Sequence, residues 1–171
     1  MPPKESKMSV ALIGFACNFK TSAGHKLAKI LKFDWYDTDL IISEKQKSSI
    51  AQLIRDNEKA FRAMEKEVVL SLPTENTVLS AGGGVPTDAE TMRFIKEHYT
   101  VVWLRSNVDT VSERLRGDYS RPLHDKLTKE QLADFIARRN EIYQKYADFT
   151  LFTDGKTSSA VASEIAAIFN R

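Results

Sequence analysis

Five short apolar runs alternate with longer amphipathic segments along this chain of 171 residues. The first run, residues 9–15, is apolar almost throughout, as expected of a strand that is buried on both faces of a sheet. Strands that alternate with helices connect through right-handed crossovers, which makes them parallel and places helices on both faces of the sheet. We therefore predict one α/β domain with residues 9–15 as its central strand. The other predicted strands are residues 33–37, 76–80, 100–104 and 149–152.

Helical periodicity fills the segments between these strands, with apolar residues recurring at spacings of three and four. Ser48 or Ser49 is expected to cap the helix that begins at position 50, and Thr87 is expected to cap the helix after the third strand. Pro73 is expected to stop the helix before it. The predicted helices are residues 20–31, 40–44, 50–54, 58–72, a segment after Thr87, and residues 109–115, 128–146 and 158–169.

The charge balance and the apolar content exclude several classes of function. The 25 basic and 23 acidic side chains nearly cancel to a formal charge of +2, so the chain lacks the basic stripe that nucleic-acid binding requires. No apolar run approaches the roughly 18 residues of a membrane span, and residues 1–7 are too polar for a signal peptide. The single cysteine, Cys17, excludes an internal disulfide and agrees with a reducing compartment. We expect a cytoplasmic domain that binds neither nucleic acid nor membrane.

The loop between the first strand and the first helix carries most of a phosphate-binding motif. Gly14, Lys20 and Thr21 match the Walker A pattern G-x-x-x-x-G-K-[ST], but Phe19 stands where the second glycine is expected. Such a loop surrounds phosphates with backbone N–H groups, while its lysine and its hydroxyl reach the phosphates and Mg²⁺. Glycine adopts the left-handed backbone of such a loop without a steric penalty, whereas this conformation is energetically unfavourable for phenylalanine. An ordinary strand-to-helix turn that contains a Lys-Thr pair is the alternative.

Two carboxylates, Asp37 and Asp39, follow the second predicted strand. Ligands of parallel α/β sheets bind beyond the carboxyl ends of the strands, so we expect both side chains in one cleft with the phosphate loop. One carboxylate can hold Mg²⁺, and the other can orient an attacking hydroxyl and accept its proton. The alternative is a turn followed by a helix that Asp39 caps.

Three arginines and a run of glycines are candidates for binding an acidic acceptor and its phosphoryl donor. Arg62 and Arg139 lie on predicted helices, and a guanidinium fork that points into the cleft can bind a carboxylate with two hydrogen bonds. Glycines 82–84 follow the third strand and allow a ligand to approach the backbone closely. Arg121 lies in the polar connector 117–127, where an arginine that closes over phosphates would stabilise transferred charge. Solvated arginines and ordinary surface turns are the alternatives.

The order of these motifs resembles that of the shikimate kinases, and the resemblance runs from Ser9 to about Phe169. The succession consists of Asp37-Thr-Asp39, then Glu58 with Phe61-Arg62 and Glu65, then glycines 82–84, then Arg121-Pro-Leu123, and then Arg139 with Tyr143. The resemblance implies a P-loop NTPase fold like that of nucleoside monophosphate kinases, a three-layer α/β/α domain with a central five-stranded parallel sheet. It also implies an acceptor-binding subdomain at about residues 37–65 and a lid at about residues 117–127 within this single domain.

The resemblance implies that the chain phosphorylates shikimate at its 3-hydroxyl with ATP and Mg²⁺, in the biosynthesis of chorismate and the aromatic amino acids, and a monomer is expected. Lys20, Asp39 and Arg121 are then the expected catalytic residues, with Asp39 as the base. Thr21 and Asp37 are expected on the magnesium side. The expected shikimate-binding residues are Asp39, Arg62, Gly83, Gly84 and Arg139, and the expected ATP-binding residues are Gly14, Cys17, Asn18, Phe19, Lys20, Thr21, Ser22 and Arg121.

The phosphate loop departs from the family pattern G-x-M-G-x-G-K-[ST], because Ala16, Cys17 and Phe19 replace its methionine and two of its glycines. Asn57 stands where the family usually has glycine. Three hypotheses follow. The first is an active shikimate kinase, and the second is a non-catalytic descendant that keeps the acceptor pocket while Phe19 blocks the nucleotide. The third is a kinase for another small hydroxylated acid such as gluconate, which the predicted set of acceptor residues argues against.

Overall fold

The structure, a computed structural model, describes residues 8–116 and 127–169. Five strands in these residues form one sheet in the order β2-β3-β1-β4-β5, and every neighbouring pair is parallel. The first strand is central, and each predicted strand lies within two residues of its predicted ends. The strands are β1 Val10–Ile13, β2 Asp34–Asp37, β3 Thr77–Ser80, β4 Thr100–Arg105 and β5 Phe149–Phe152.

Seven helices lie between or after these strands in the described part of the chain. They are α1 Lys20–Leu31, α2 Thr38–Gln46, α3 Ile50–Ser71, α4 Ala89–His98, α5 Val108–Arg116, α6 Lys129–Tyr146 and α7 Ser158–Phe169. The two helices predicted at 50–54 and 58–72 are the two parts of α3, which is interrupted at Asn57, where φ is −164° and ψ is 95°. None of the described helices is both long and apolar enough to cross a membrane.

One predicted helix cap is wrong. Thr87 ends a 3₁₀ turn, Val85–Thr87, and its hydroxyl donates to the carbonyl of Gly84 at 2.6 Å. Asp88 caps α4 instead, since its carboxylate accepts from the backbone N–H of Thr91 at 2.9 Å. The tight turn that continues from the glycine run moves the start of this helix beyond the predicted cap.

Alternate residues of β1 face different layers of helices, as the period of two in a strand requires. Val10 and Leu12 pack with α1 and α7 on one face of the sheet. Ala11 and Ile13 pack on the other face with residues of α3, α4, α5 and α6. All four side chains are fully buried. The predicted three-layer α/β/α architecture with a central five-stranded parallel sheet is therefore confirmed.

Helices α2 and α3 have a small apolar cluster of their own, beside the sheet. Ile42 of α2 packs with Phe61 and Val68 of α3, and partly buried aliphatic residues surround these three. The predicted acceptor-binding subdomain, residues 37–65, falls on this unit, although α3 continues to Ser71. This unit thus has a small core of its own, while Val69 of the same helix α3 packs in the main core against the sheet.

Three segments that are predicted to form the site follow the adjacent strands β2, β3 and β1. The carboxyl ends of these strands lie at the same edge of the sheet. Because β1 lies next to β3, and β3 lies next to β2, the loops that leave these strands start side by side. Leu12 of β1 pairs with Ser80 of β3, and Tyr36 of β2 pairs with Leu79. The phosphate loop, the carboxylate pair and the glycine run therefore occupy one edge of the sheet.

A substitution on each face of α1 tests this packing. Leu27 is fully buried between α1 and the sheet, whereas Ile30 on the same helix is 47% exposed. We expect Leu27→Ala to lower the free energy of unfolding by about 2–5 kcal/mol, because it removes buried methyl groups and leaves a cavity. The control Ile30→Ala should change it by no more than about 0.5 kcal/mol. Urea denaturation measures both, and equal losses would contradict the assigned faces.

Candidate active site

The loop between β1 and α1 has a left-handed backbone at two residues that are not glycine. Cys17 has a φ of 64° and Phe19 a φ of 67°, in a region that costs a residue with a Cβ atom roughly 1–2 kcal/mol. Phe19, which precedes α1, therefore adopts the conformation that its side chain is expected to resist. The loop keeps a shape that favours glycine although Cys17 and Phe19 stand at two positions where glycine is expected.

Both ends of this loop are fixed against the sheet. Gly14 begins the loop with a φ of 149°, and a Cβ atom added there would lie 2.4 Å from the carbonyl oxygen of Leu104 on strand β4. At the other end, the ring of Phe19 packs against the core between the sheet and helices α1 and α7. The close contact at Gly14 explains why only glycine fits there.

Lys20 and Thr21, the first residues of α1, make polar contacts on two sides of the loop. The Lys20 ammonium donates to the carbonyl of Gly14 and, at 3.2 Å, to that of Phe15. The Thr21 hydroxyl donates to Oδ2 of Asp37 at 2.7 Å. No side chain among the described residues caps α1, and the N–H groups in the first turn of a helix attract anions. This end of α1 suits a phosphate group.

The other residues predicted to bind ATP are divided between the loop, helix α1 and the predicted lid. Asn18 is buried, and its Oδ1 accepts from the guanidinium of Arg114 at 3.3 Å. Ser22 is exposed in the first turn of α1. Arg121 lies outside the described residues, together with most of the predicted lid, so its role stays a prediction.

Asp37 and Asp39 have different positions after β2. Asp37 caps α2, since its Oδ1 accepts from the N–H of Leu40 at 3.0 Å. Asp39 lies in the first turn of α2, and its Oδ1 would be only 2.6 Å from a Cβ atom at Gly82. The alternative in which Asp39 caps this helix is therefore wrong, because Asp37 does so.

The pair formed by Thr21 and Asp37 has the chemistry of a magnesium site. A hydroxyl and a carboxylate 2.7 Å apart offer the hard oxygen atoms that Mg²⁺ prefers. The residues that the structure describes contain no group of three or more His, Cys, Asp or Glu side chains that could hold a metal ion. Mg²⁺ is usually bound by one or two protein groups, with phosphate oxygens and waters completing its shell. The two residues therefore fit an ion that binds together with a nucleotide.

A cavity of about 570 Å³ lies beside the phosphate loop and contains the predicted acceptor residues. Phe15 and Ala16 of the phosphate loop form part of its wall. The five predicted residues that line it are Asp39, Arg62, Gly83, Gly84 and Arg139. They come from α2, α3, the glycine run and α6, so the fold brings together side chains that are far apart along the chain.

Arg62 lies on the wall of this cavity in an ion-pair network. Its Nη1 lies 2.7 Å from Oε1 of Glu65, and its Nη2 lies 3.4 Å from Oε1 of Glu58. The guanidinium also lies against Gly84, where an added Cβ atom would be 1.9 Å from Nη1. A side chain at position 84 would displace this arginine, so the glycine permits its position.

Glu65 is a buried carboxyl at the centre of this network. Burial raises the pKa of Glu65 to about 7, and the nearby charge of Asp39 acts in the same direction. Arg62 and Arg139 oppose this rise, because a positive charge favours the ionised carboxylate. Glu65 can therefore change its charge near neutral pH inside the cavity.

Arg139 and Tyr143 of α6 both bind the carbonyl of Gly83. Nη1 of Arg139 and the hydroxyl of Tyr143 each donate to it at 2.7 Å. Burial raises the pKa of Tyr143 to about 12, so the phenol stays protonated and continues to donate. These bonds hold the glycine run against α6 and leave Arg139 on the cavity wall.

Glu65, Tyr143 and Arg114 have no individual role among the predictions made from the sequence. A local signal existed for the first two, since Glu65 follows Arg62 by three residues and Tyr143 follows Arg139 by four, and such spacings place side chains side by side on a helix. Arg114 had no such signal. It contacts the carbonyl of Cys17, 97 residues away in the sequence.

Comparisons with known proteins identify the family to which this chain is related. The family model for shikimate kinase matches residues 18–169. A shikimate kinase from Persephonella marina is 36% identical over 159 residues, which cover 92% of this chain and 96% of that protein. A shikimate kinase from Bacillus mycoides is 35% identical over 158 residues, with coverages of 92% and 95%.

A solved structure supports the same relationship. The shikimate kinase from Acinetobacter baumannii in complex with shikimate superposes with a TM-score of 0.87 at 28% identity, over 97% of this chain and 94% of that one. Its resemblance in fold extends over nearly the whole chain, as do the sequence matches. On these grounds the chain belongs to the shikimate kinase family.

Proposed function

We propose that this chain transfers the γ-phosphate of ATP to the 3-hydroxyl of shikimate, with shikimate 3-phosphate and ADP as products. The observation that carries the proposal is the single cavity that holds Asp39, Arg62, Gly83, Gly84 and Arg139 and shares a wall with the phosphate loop. Membership of the shikimate kinase family supports the choice of substrates. The comparisons give no support to a non-catalytic protein.

Arg62 and Arg139 are the proposed partners of the shikimate carboxylate. Both line the cavity, and a guanidinium can bind a carboxylate through two parallel hydrogen bonds. Arg62 is half-buried and held by Glu58 and Glu65, so its orientation is set before the acceptor binds. Gly83 and Gly84 lie on the wall of the same cavity, and the missing side chain of Gly84 leaves the space that the Arg62 guanidinium fills.

Asp39 is the proposed base for the acceptor. Its carboxylate lies on the cavity wall, on the first turn of a helix that starts beside the phosphate loop. The oxygen of the 3-hydroxyl would attack the γ-phosphorus and lose its proton to Asp39, while the bond from that phosphorus to the oxygen of ADP breaks. In such a reaction the protein mainly positions the reactants and stabilises charge.

Lys20, Thr21 and Asp37 are the proposed groups on the nucleotide side, with Arg121 from the lid. Lys20 would exchange its bonds to the loop carbonyls for bonds to phosphate oxygens. Thr21 and Asp37 would hold Mg²⁺, which neutralises phosphate charge when bound. We also propose a monomer in the cytoplasm that serves the biosynthesis of chorismate and the aromatic amino acids.

An assay that couples ADP release to NADH oxidation tests the function and the role of Asp39 together. We expect shikimate-dependent ADP formation, and we expect Asp39→Asn to lower kcat by about 100-fold or more because the base is lost. Asp34→Asn changes an exposed carboxyl on the preceding strand and should leave kcat unchanged. If the protein forms no ADP in response to shikimate, the proposed function is wrong. If Asp39→Asn retains full kcat, only the base is wrongly assigned.

A second prediction concerns the carboxylate site. Arg62→Lys removes the planar fork but keeps the charge, so KM for shikimate should rise by about tenfold with KM for ATP unchanged. Arg55→Lys is the matched control, because Arg55 is an exposed arginine on the same helix. Steady-state kinetics with each substrate varied in turn measures both constants. Equal effects of the two substitutions on KM for shikimate would contradict the assignment.

A third prediction follows from the pKa of Glu65, which burial raises to about 7. Below this pH the carboxyl is neutral, and above it the carboxylate adds a negative charge to a cavity that would bind an anion. KM for shikimate should therefore rise by about fivefold between about pH 6 and about pH 8. Glu65→Gln should remove this rise, whereas Glu67→Gln, at an exposed position on the same helix, should keep it. A pH profile that is identical in both variants would refute this role.

A further inference from the structure

Thr38, the first residue of α2, contacts the glycine run through its side chain. Its hydroxyl accepts the backbone N–H of Gly82 at 2.8 Å, although the two residues are 44 positions apart in the sequence. Thr38 is fully buried, and Gly82 is buried as well. A buried N–H group without a partner is unfavourable, so this bond restricts where the glycine run can lie.

The same bond continues the pairing of β2 with β3 beyond the ends of both strands. Asp37 and Ser80 are the last paired residues of these strands. The N–H of the next residue, Ala81, donates to β1 on the other side. Because α2 begins at Thr38, its backbone no longer follows the sheet. The Thr38 hydroxyl therefore takes the place of a strand carbonyl and holds Gly82 at the end of β2.

The carboxylate of Asp39, the proposed base, lies against the same glycine. A Cβ atom added at Gly82 would lie 2.6 Å from Oδ1 of Asp39 and 3.0 Å from Oε2 of Glu65. Gly82 does not have a positive φ, so the lack of space, and not the backbone conformation, requires glycine here. The neighbours Thr38 and Asp39 thus contact Gly82 at two points, one at its N–H and the other beside its Cα atom.

The next glycine is held by a different helix. The carbonyl of Gly83 accepts from Arg139 and from Tyr143 of α6, each at 2.7 Å. Arg139 is also a proposed partner of the shikimate carboxylate. Loss of the bond between Thr38 and Gly82 should therefore displace the glycine run near the base more than it displaces the run near this arginine.

We propose that Thr38 is a positioning residue that holds Gly82 against the Asp39 carboxylate and so sets the distance between this base and the attacking hydroxyl. The inference rests on the proposed function for the role of Asp39. Thr38 does not line the cavity, so it acts on the reaction through its neighbours and without a contact to the acceptor. Misplacement of a reacting group by about 1 Å can lower a rate by about 100-fold.

Thr38→Val tests the bond, because valine has nearly the shape of threonine but no hydroxyl. We expect kcat to fall by about tenfold or more, with KM for shikimate within about threefold of its original value. Thr38→Ser keeps the hydroxyl and should therefore retain kcat within about twofold. An unchanged kcat in Thr38→Val, or equal losses in both variants, would overturn the inference.

Thr91→Val is the matched control for the loss of a buried hydroxyl. Thr91 is 1% exposed, its hydroxyl donates to the carboxylate of Asp88, and it lies on α4 away from the cavity wall. This substitution should lower the midpoint of urea denaturation, as Thr38→Val does, while kcat stays within about twofold. An equal fall of kcat in Thr91→Val would assign the effect of Thr38→Val to lost stability and would overturn the inference.

The affinity for ATP separates an effect through Gly82 from an effect through Asp37, which precedes Thr38 and is proposed to hold Mg²⁺. Kd for ATP, measured by calorimetry with Mg²⁺ present, should stay within about twofold in Thr38→Val. A rise of Kd for ATP as large as the fall of kcat would place the effect on the magnesium side and would overturn the inference.

Gly82→Ala tests the second contact of the same glycine and decides the question if Thr38→Val does not fold. Alanine keeps the N–H that Thr38 binds, but its Cβ atom needs the space that Oδ1 of Asp39 occupies. We expect kcat to fall by about tenfold or more in this variant. An unchanged kcat would show that the position of Asp39 does not depend on Gly82, which would overturn the inference.

Amide hydrogen exchange at Gly82, followed by NMR without substrates, gives a readout that does not depend on activity. Exchange should be slow in the unchanged protein and in Thr38→Ser, and about tenfold faster or more in Thr38→Val. If the protein forms no ADP in response to shikimate, the proposed function is wrong, and these rates alone decide whether Thr38 holds the glycine run. Equal rates in Thr38→Ser and Thr38→Val would overturn the inference.

Discussion

The direct pairing of β1 with β3 is the constraint on which the rest of the site depends. The N–H of Ala81 donates to the carbonyl of Leu12 at 3.1 Å, so the phosphate loop and the glycine run leave the sheet side by side. A Cβ atom at Gly83 would lie only 3.6 Å from the carbonyl oxygen of Gly14. The two loops therefore touch, and a molecule bound against one of them lies beside a molecule bound against the other. Transfer of a phosphoryl group between two substrates requires this arrangement.

Charge inside the acceptor cavity is balanced between arginines and carboxylates. Arg62 and Arg139 can attract an anionic acceptor, while Glu58, Glu65 and Asp39 hold negative charge nearby. Burying Arg62 without partners would be costly, so Glu58 and Glu65 keep it charged and oriented. Burial raises the pKa of Glu65 to about 7, which makes the net charge of the cavity sensitive to pH near neutrality.

Much of the fold could be predicted from local patterns, because burial imposes a period on each strand and helix. Helix α7 begins and ends where its apolar spacing predicts, and β1 is central because it is apolar on both faces. The cap of α4 could not be predicted, because both Thr87 and Asp88 are residue types that cap helices. The 3₁₀ turn that ends at Thr87 leaves Asp88 as the cap. The site was predictable where motifs are local, as at Asp39 and Arg62. The link from Arg114 to the phosphate loop depends on packing between distant segments, which no local spacing reveals.

The proposed function requires that a loop with side chains at positions 17 and 19 still binds phosphates beside an acceptor. The most direct test is a crystal structure of the protein with shikimate and a non-hydrolysable ATP analogue. We expect backbone N–H groups of residues 16–21 to surround the β-phosphate, and the 3-hydroxyl to lie between Asp39 and the γ-phosphorus. A nucleotide bound elsewhere, or a shikimate carboxylate that contacts neither Arg62 nor Arg139, would contradict the proposed function.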